Sequence, residues 1–219
     1  MIYTITLNPA LDRTLWVDRI QSDDSNRILR EEKYAGGKGI DVSRVLATLG
    51  VASKAIGFIG GFAGEELEGM LLGEGIICDF IKISGETRTN IIANDITTGK
   101  QLSFNDKGPE IKHYELIQMI RKLDNLEKPE IIVISGSLPP GVHPEIYRKI
   151  TEKAKSKGAK VILDTDGDAL KVGIKGYPDA IKPNIHELSR LVDMELNETG
   201  KIIEAAHSIH KQGIGNVLV

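Results

Sequence analysis

The sequence predicts an α/β protein: a mostly parallel sheet wrapped by helices, with a small accessory β-sheet beside it. Three observations carry the prediction. From Lys112 onward strand and helix patterns alternate regularly, and Ile131-Ile132-Val133-Ile134 is the continuous apolar run expected of a parallel strand buried on both faces. Near the start, strand patterns at 2–7 and 52–59 flank a glycine-led helical pattern, which gives the same βαβ rhythm. Between 76 and 106 the chain changes to short extended runs separated by turn residues, as hairpins do.

Composition bounds what such a fold can do. The 219 residues are 41% apolar and 27% charged, ordinary for a globular chain with one sizeable core. Twenty-eight Lys and Arg against 31 Asp and Glu leave a net charge of −3, so no general field draws nucleic acid or an anionic membrane, and neither is expected as a partner. Any anion site must be local. The single cysteine, Cys78, excludes an intrachain disulfide, fits a reducing compartment and reads as core packing within Ile76-Ile77-Cys78-Asp79-Phe80. No apolar run approaches the ~20 residues of a membrane span, and the first residues enter a strand without the basic and apolar segments of a signal peptide. A cytoplasmic location is the resulting expectation.

Taken in order, Ile2-Tyr3-Thr4-Ile5-Thr6-Leu7 is a strand stopped by Asn8-Pro9, and Asp12 lies just past that turn. Ligands of open α/β sheets gather beyond the carboxyl ends of the strands, so Asp12 is placed to accept hydrogen bonds from substrate hydroxyls; standing alone it also fits a solvated loop aspartate. Leu15-Trp16-Val17 and Ile28-Leu29 suggest short strands outside the main sheet. Ala35-Gly36-Gly37-Lys38-Gly39 then runs into a pattern in which Val42, Val45, Leu46 and Leu49 recur at i, i+3, i+4 and i+7, predicting the buried face of a helix closed at Gly50. Free N–H groups and the positive end of the dipole gather where that helix starts, and glycine lets a ligand approach the main chain. Lys38 adds a cation, so the place suits an anion or a hydroxyl-rich ligand. The run matches neither G-x-x-x-x-G-K-[ST] nor G-x-G-x-x-G, and by itself it also fits a glycine turn that merely starts a helix.

The strand at 52–59 ends in Gly60-Gly61, and Leu67, Met70 and Leu71 give a helical face closed by Gly73 and Gly75. Extended runs at 76–83, 87–92 and 101–104 could join the early short strands in the accessory sheet. Arg88 and Asn90, two apart on a strand, project from one face, where a planar fork donor beside an amide fits phosphate oxygens, although exposed strands also carry such pairs for solubility. Tyr114, Ile117, Ile120 and Leu123 make a helix face, and Ile146, Tyr147 and Ile150 another. Three successive strands end in polar groups: Ser137 after 131–134, Asp164 after Val161-Ile162-Leu163, and Lys182-Pro183-Asn184 after Ala180-Ile181. A parallel sheet collects such ends on one edge, so Ser137, Asp164, Lys182 and Asn184 should face the same crevice as Asp12 and Gly37. Asn184 precedes a helix with Glu187 in its first turn, the spacing of a capping box. The histidines are scattered, and His207 and His210 have no third ligand beside them, so no metal-histidine site is predicted.

Thr6-Leu7-Asn8-Pro9-Ala10-Leu11-Asp12, Gly36-Gly37-Lys38-Gly39, Thr87-Arg88-Thr89-Asn90, Ser135-Gly136-Ser137-Leu138-Pro139-Pro140-Gly141 and Lys182-Pro183-Asn184-Ile185-His186-Glu187 resemble, in this order, the motifs of the ribokinase-like (PfkB) sugar kinases. The first and fourth most resemble the branch of 1-phosphofructokinases, tagatose-6-phosphate kinases and minor 6-phosphofructokinases. The resemblance covers essentially all 219 residues. It implies one doubly wound α/β domain with a small β-sheet lid built from about 13–34 and 76–106, the lid serving as a homodimer contact. It also implies MgATP-dependent phosphorylation of a sugar phosphate, fructose 1-phosphate first, with tagatose 6-phosphate and fructose 6-phosphate as alternatives. Asp12 would then hold sugar hydroxyls, and Gly36, Gly37, Lys38 and Asp41 would line the sugar site. Arg88 and Asn90 would grip the phosphate already on the substrate, with Ser137 near it. Lys182, Asn184 and Glu187 would stand on the nucleotide side, Glu187 helping to place Mg²⁺ through water.

Two departures accompany the resemblance. Asp41 stands where the family usually has Asn, and a carboxylate accepts hydrogen bonds, cannot donate them and repels a phosphate. The family's G-A-G-D run, source of its general base and anion-hole amides, does not occur in the 219 residues, so no catalytic base is assigned among them, and Asp164 and Asp166 are the first candidates for a substitute. With the apolar strand pattern Asn216-Val217-Leu218-Val219 left uncovered, this leads to the expectation of the N-terminal part of a longer kinase. A reading from another class is a non-catalytic sugar-phosphate-binding protein.

Overall fold

The computed structural model describes residues 1–219. In chain order the strands are β1 (Ile2–Thr6), β2 (Ala10–Val17), β3 (Ile28–Gly36), β4 (Ser53–Ile59), β5 (Ile77–Cys78), β6 (Ile81–Lys82), β7 (Arg88–Asp95), β8 (Gln101–Phe104), β9 (Ile131–Ser135), β10 (Lys160–Asp164), β11 (Ala180–Ile181) and β12 (Asn216–Val217). The helices are α1 (Lys38–Thr48), α2 (Gly61–Gly73), α3 (His113–Asp124), α4 (Glu145–Ser156), α5 (Gly167–Gly173), α6 (Ile185–Val192) and α7 (Thr199–His210). No helix is long and apolar enough to cross a membrane.

Alternation along β1 decides how the main sheet is covered. Tyr3, Ile5 and, just beyond the strand, Leu7 enter a cluster of 29 buried apolar residues that also takes Ile146, Tyr147 and Ile150 of α4. Thr4 and Thr6, on the opposite face, meet α1. A second cluster of 8 residues, including Ile40, Ala55, Ile59, Leu67 and Leu71, fills the space under α1 and α2. Burial on both faces is why these strands read as apolar runs.

The main sheet has eight strands in the order β12-β11-β10-β9-β1-β4-β5, with β6 also paired to β4, and every pairing is parallel. From β1 the chain builds outward through β4 and β5, then returns to β9 on the other side of β1 and builds outward to β12. The order therefore reverses between β1 and β9, and a crevice opens beyond their carboxyl ends. Above it lies a mixed sheet, β3-β2-β7-β8, in which β2 pairs antiparallel with β3 and parallel with β7, and β7 antiparallel with β8. This is the doubly wound α/β architecture with a small β-sheet at its side.

Three expectations need correction. Residues 76–83 do not join the accessory sheet: β5 and β6 pair with β4, and Ile76, Phe80, Ile81 and Ile83 are buried in the two cores, because the crossover through α2 completes another parallel βαβ unit. Helix α1 buries Gly39, Ile40 and Ser43 rather than its apolar row, leaving Val45 59% and Leu49 70% exposed. A Cβ at Gly39 would stand 2.5 Å from Thr6 Oγ1 and 3.1 Å from the Ile5 carbonyl oxygen, so the glycine side must face β1. Ser43 Oγ then bonds Thr4 Oγ1 at 2.7 Å and accepts from Ser53 Oγ at 3.0 Å. Helix α3 likewise buries Glu115, Met119 and Leu123 while Tyr114 and Ile117 are exposed. Burial alone would raise the Glu115 carboxyl, but N–H donors of Ser84 and Lys112, both at 2.8 Å, outweigh it and hold the group below the usual carboxylate range.

The close approach of α1 to β1 makes a stability prediction. Gly39→Ala overpacks a backbone contact and should cost about 1–3 kcal/mol, read as a lower midpoint in urea at unchanged slope. An unchanged midpoint would show that α1 can drift outward freely.

Candidate active site

The crevice beyond β1 and β9, roofed by the small sheet, is a cleft of about 540 Å³. Asp12, Gly37, Lys38, Asp41, Arg88, Asn90, Ser137 and Glu187 line it, whereas Gly36, Lys182 and Asn184 do not. The convergence follows from topology: β2 and β7 bring the first and last groups of the roof, α1 begins at one wall, and the loop after β9 forms the floor.

On the roof, the β2–β7 register sets Asp12 opposite Asn90 and Ala10 opposite Arg88. Asp12 is therefore a strand residue, since β2 starts at Ala10 immediately after the Asn8-Pro9 turn. Asn90 Nδ2 donates to Asp12 Oδ1 at 2.7 Å, and Asn90 Oδ1 accepts from the Asp106 N–H at 3.1 Å. Arg88 Nη1 donates to the Asp106 carbonyl and Nη2 to the Asn8 carbonyl, each at 2.9 Å, while its Nε is buried without a partner. Burial pushes the Asp12 carboxyl above its usual range, against the opposing pull of the Asn90 amide and the Arg88 charge. Gly36 serves this arrangement from behind, because a Cβ there would meet Asp12 Oδ2 at 2.2 Å.

At the wall, Gly37 adopts φ +142° as N-cap of α1. Lys38 follows, its Nζ 3.5 Å from Asp164 Oδ1 and 3.7 Å from Glu187 Oε1. Lys182 Nζ approaches the other Asp164 oxygen at 3.7 Å, so two cations flank the carboxylate that ends β10. Asn184 and Glu187 form the capping box of α6: Asn184 Oδ1 accepts from the Glu187 N–H and Glu187 Oε2 from the Asn184 N–H, both at 2.9 Å. The cap leaves Glu187 Oε1 turned to Lys38 and the cleft.

Asp41 is held rather than free. Tyr34 Oη donates to Asp41 Oδ1 at 2.7 Å and Arg44 Nη1 to the same oxygen at 2.7 Å, so the carboxylate's charge is answered within its own helix and by β3. Burial, then the bond to Asp41, pushes the Tyr34 phenol up to about 12, which keeps it protonated as a donor. Arg44 also lies over the Tyr34 ring, 4.1 Å from its centroid, and donates to Glu74.

Sequence reasoning missed Thr6, Asn8 and Thr165, all of which line the cleft. The signal was available for Asn8, which ends the first strand as Ser137 follows the fifth main-sheet strand of the chain. Asp166 also lines the cleft, but Arg190 clamps it at 3.1 and 2.6 Å. Burial would raise its carboxyl, yet the Arg190 bond and the Gly167 N–H outweigh that and hold it low, leaving a weak base.

The pfkB family carbohydrate kinase model matches residues 5–219. The chain belongs to the PfkB family. It is 35% identical over its whole length to a 1-phosphofructokinase of Bacillus subtilis, spanning 71% of that protein, and 37% identical to a 1-phosphofructokinase of Borreliella burgdorferi, spanning 70%. Escherichia coli phosphofructokinase-2 in complex with fructose-6-phosphate superposes with a TM-score of 0.91 at 33% identity, over 99% of this chain and 72% of that one. The ribokinase-like fold follows, and as a PfkB sugar-phosphate kinase the protein is a phosphotransferase acting on a hydroxyl group.

The Asp12–Asn90 bond predicts a direction. Removing the amide in Asn90→Ala takes away a donor that favours the charged carboxylate, so the Asp12 pKa should rise further, read by carboxyl ¹³C shifts against pH. A fall, or no change, would show that the Asn90 amide does not hold the carboxylate in its charged form.

Proposed function

We propose that the protein is an ATP-dependent hexose-phosphate kinase that phosphorylates fructose 1-phosphate at its 6-hydroxyl, giving fructose 1,6-bisphosphate. The observation that carries this reading is the polarity of the cleft: a guanidinium fork and a serine hydroxyl at one end, carboxylate acceptors beside them, and the Lys38–Glu187 wall opposite. Arg88, with Nε unfilled, and Ser137 hold the phosphate already on the sugar. Asp12 accepts from the sugar hydroxyls, and Asp41, its one oxygen answered by Tyr34 and Arg44, offers a second acceptor. The 1-phosphofructokinase relatives favour fructose 1-phosphate; the fructose-6-phosphate complex of the Escherichia coli neighbour makes that isomer the first competitor, with tagatose 6-phosphate next.

Lys182, Asn184 and Glu187 form the nucleotide side. No group of three or more His, Cys, Asp or Glu side chains forms a metal cage, which suits Mg²⁺ held mainly by phosphates and water with one carboxylate. Glu187 fits that role because its Oε1 is not used by the helix cap. When bound, the ion neutralises charge on the phosphates. Lys38 contributes further positive charge at a helix N-terminus, where the transferring group would pass. Exposed Ile28, Leu29, Leu102 and Phe104 on the small sheet support its use as a homodimer contact.

Arg88→Ala should raise the Kd for fructose 1-phosphate, read by calorimetry, by an amount worth ~1.5–3 kcal/mol, and Arg88→Lys should recover only part, because a point charge lacks the fork. An unchanged Kd would sink the assignment. A second prediction concerns the polypeptide of residues 1–219 by itself. It has no G-A-G-D run and Asp166 is committed to Arg190. A general base contributes ~10²–10⁴-fold and one anion-hole donor ~10²–10³-fold, so ADP release with saturating fructose 1-phosphate and MgATP should stay near background. Turnover of order 1 s⁻¹ or faster would show that another group serves as base.

A further inference from the structure

Asn8 is 4% exposed and lies two residues past the end of β1, at the point where the strand order reverses. Its Nδ2 donates to the Lys107 carbonyl at 3.0 Å and to Ser137 Oγ at 3.4 Å, and its own carbonyl accepts from Arg88 Nη2 at 2.9 Å. It therefore touches three separate parts of the cleft: the floor loop after β9, the first residue of β7 in the roof, and the segment 105–108 that runs from β8 back toward α3. That segment is tied to the roof as well. Asp106 accepts from Arg88 Nη1 at 2.9 Å, donates its N–H to Asn90 Oδ1 at 3.1 Å, and receives the Gly108 N–H at 3.0 Å. Gly108 sits at φ +92°, and a Cβ on it would stand 2.3 Å from Asn8 Oδ1, so the segment is shaped around the asparagine.

We propose that Asn8 is a positioning residue for the phosphate end of the substrate site: it braces segment 105–108 against the floor and thereby fixes the Arg88 guanidinium relative to the Ser137 hydroxyl. Arg88 touches the substrate; Asn8 acts through it. Both nitrogens of the fork tips are spent on carbonyls that Asn8 and the braced segment supply, so the orientation of the planar group is set before a ligand arrives. Leucine or alanine would close the strand end as well as asparagine but could not donate to two acceptors. Aspartate, of the same shape, has no donor at all and adds negative charge beside an anion site. Asn8 Oδ1 and Arg88 Nε are both buried and unpartnered, the condition expected of groups arranged around a ligand rather than for stability alone. The phosphate part of the inference rests on the kinase reading above; the brace does not.

The test uses Asn8→Ala and Asn8→Asp in the enzyme, with fructose 1-phosphate, MgATP and amide hydrogen exchange. The brace predicts that the Asp106 and Gly108 amides exchange on the order of tenfold faster in Asn8→Ala, while the strands of the main sheet keep their protection. It further predicts that the Kd for fructose 1-phosphate, read by calorimetry, rises on the order of tenfold with the Kd for MgATP nearly unchanged, and that Asn8→Ala adds little once Arg88→Ala is present. Asn8→Asp should be worse than Asn8→Ala in Kd. Parallel rises in both Kd values, additivity with Arg88→Ala, or unchanged exchange at Asp106 and Gly108 would overturn the proposal. If Asn8→Ala fails to fold, Gly108→Ala, which pushes directly on Asn8 Oδ1, gives the same three readings. Should the wild-type protein bind no hexose phosphate, the kinase reading fails, and the exchange comparison alone still decides whether the brace exists.

Discussion

Much of this molecule depends on one close contact, the start of α1 lying on the end of β1. Gly39 has backbone and Thr6 at distances where no Cβ fits, so the helix axis is brought in until its first turn stands beside the strand's carboxyl end. Phase and position follow together. Ser43 is turned inward to bond Thr4 and Ser53, and Lys38 is thrown forward toward Asp164 and Glu187. Had the apolar row of α1 faced the sheet instead, its side chains would have held the helix farther off, and the N–H groups at its start would have stood away from the crevice.

Four carboxylates, Asp12, Asp41, Asp166 and Glu187, line the cleft against two cations, Lys38 and Arg88, and pairings made at and just behind its walls explain how so many ionised groups stand together. Asp41 is met by Arg44 and Tyr34, Asp166 by Arg190, Asp164 by two lysines at longer range. Asp12 is the exception: its partner is a neutral amide, and burial dominates its ionisation. An acceptor that is costly to charge and only partly satisfied gains most from hydroxyl donors brought by a ligand. Asp41, by contrast, is already paired with Arg44 and Tyr34, which weakens the repulsion that a carboxylate in place of an amide would otherwise set against a phosphorylated ligand.

Strand ends were legible in the sequence because β-branched runs followed by Pro, Gly or Ser announce both a strand and its exit, and a parallel sheet gathers the exits. That logic located Asp12, Gly37 and Ser137 and should have located Asn8, which was read only as part of a turn. Helix faces were less legible. The row Val42, Val45, Leu46, Leu49 satisfies the helical period, yet backbone proximity at Gly39 and hydroxyl bonding at Ser43 outweigh apolar burial there. In α3 the same error arose because the buried position is a glutamate, and nothing in its own neighbourhood reveals that Ser84, 31 residues earlier, will meet its carboxylate. Residues 76–83 were misplaced for a related reason: two-residue strands carry no period, so only pairing with β4 assigns them to a sheet.

Two of the ties between the small sheet and the body, at separated places, run through residues of the cleft. On one side Tyr34 of β3 bonds Asp41 and stacks under Arg44, which also reaches the Ala35 carbonyl and Glu74 at the end of α2. On the other, Arg88 of β7 bonds the Asn8 carbonyl below it and Asp106 beside it. The β2–β7 and β2–β3 registers join these two ties across a single width of sheet, through Asp12 opposite both Asn90 and Tyr34. A ligand that draws Asp12 or Arg88 toward itself therefore pulls on hydrogen bonds that also set the height of the roof. Binding and roof position are in this sense one equilibrium, since any preference of a ligand for one roof height must appear as affinity, and any change that loosens either tie must appear at the cleft.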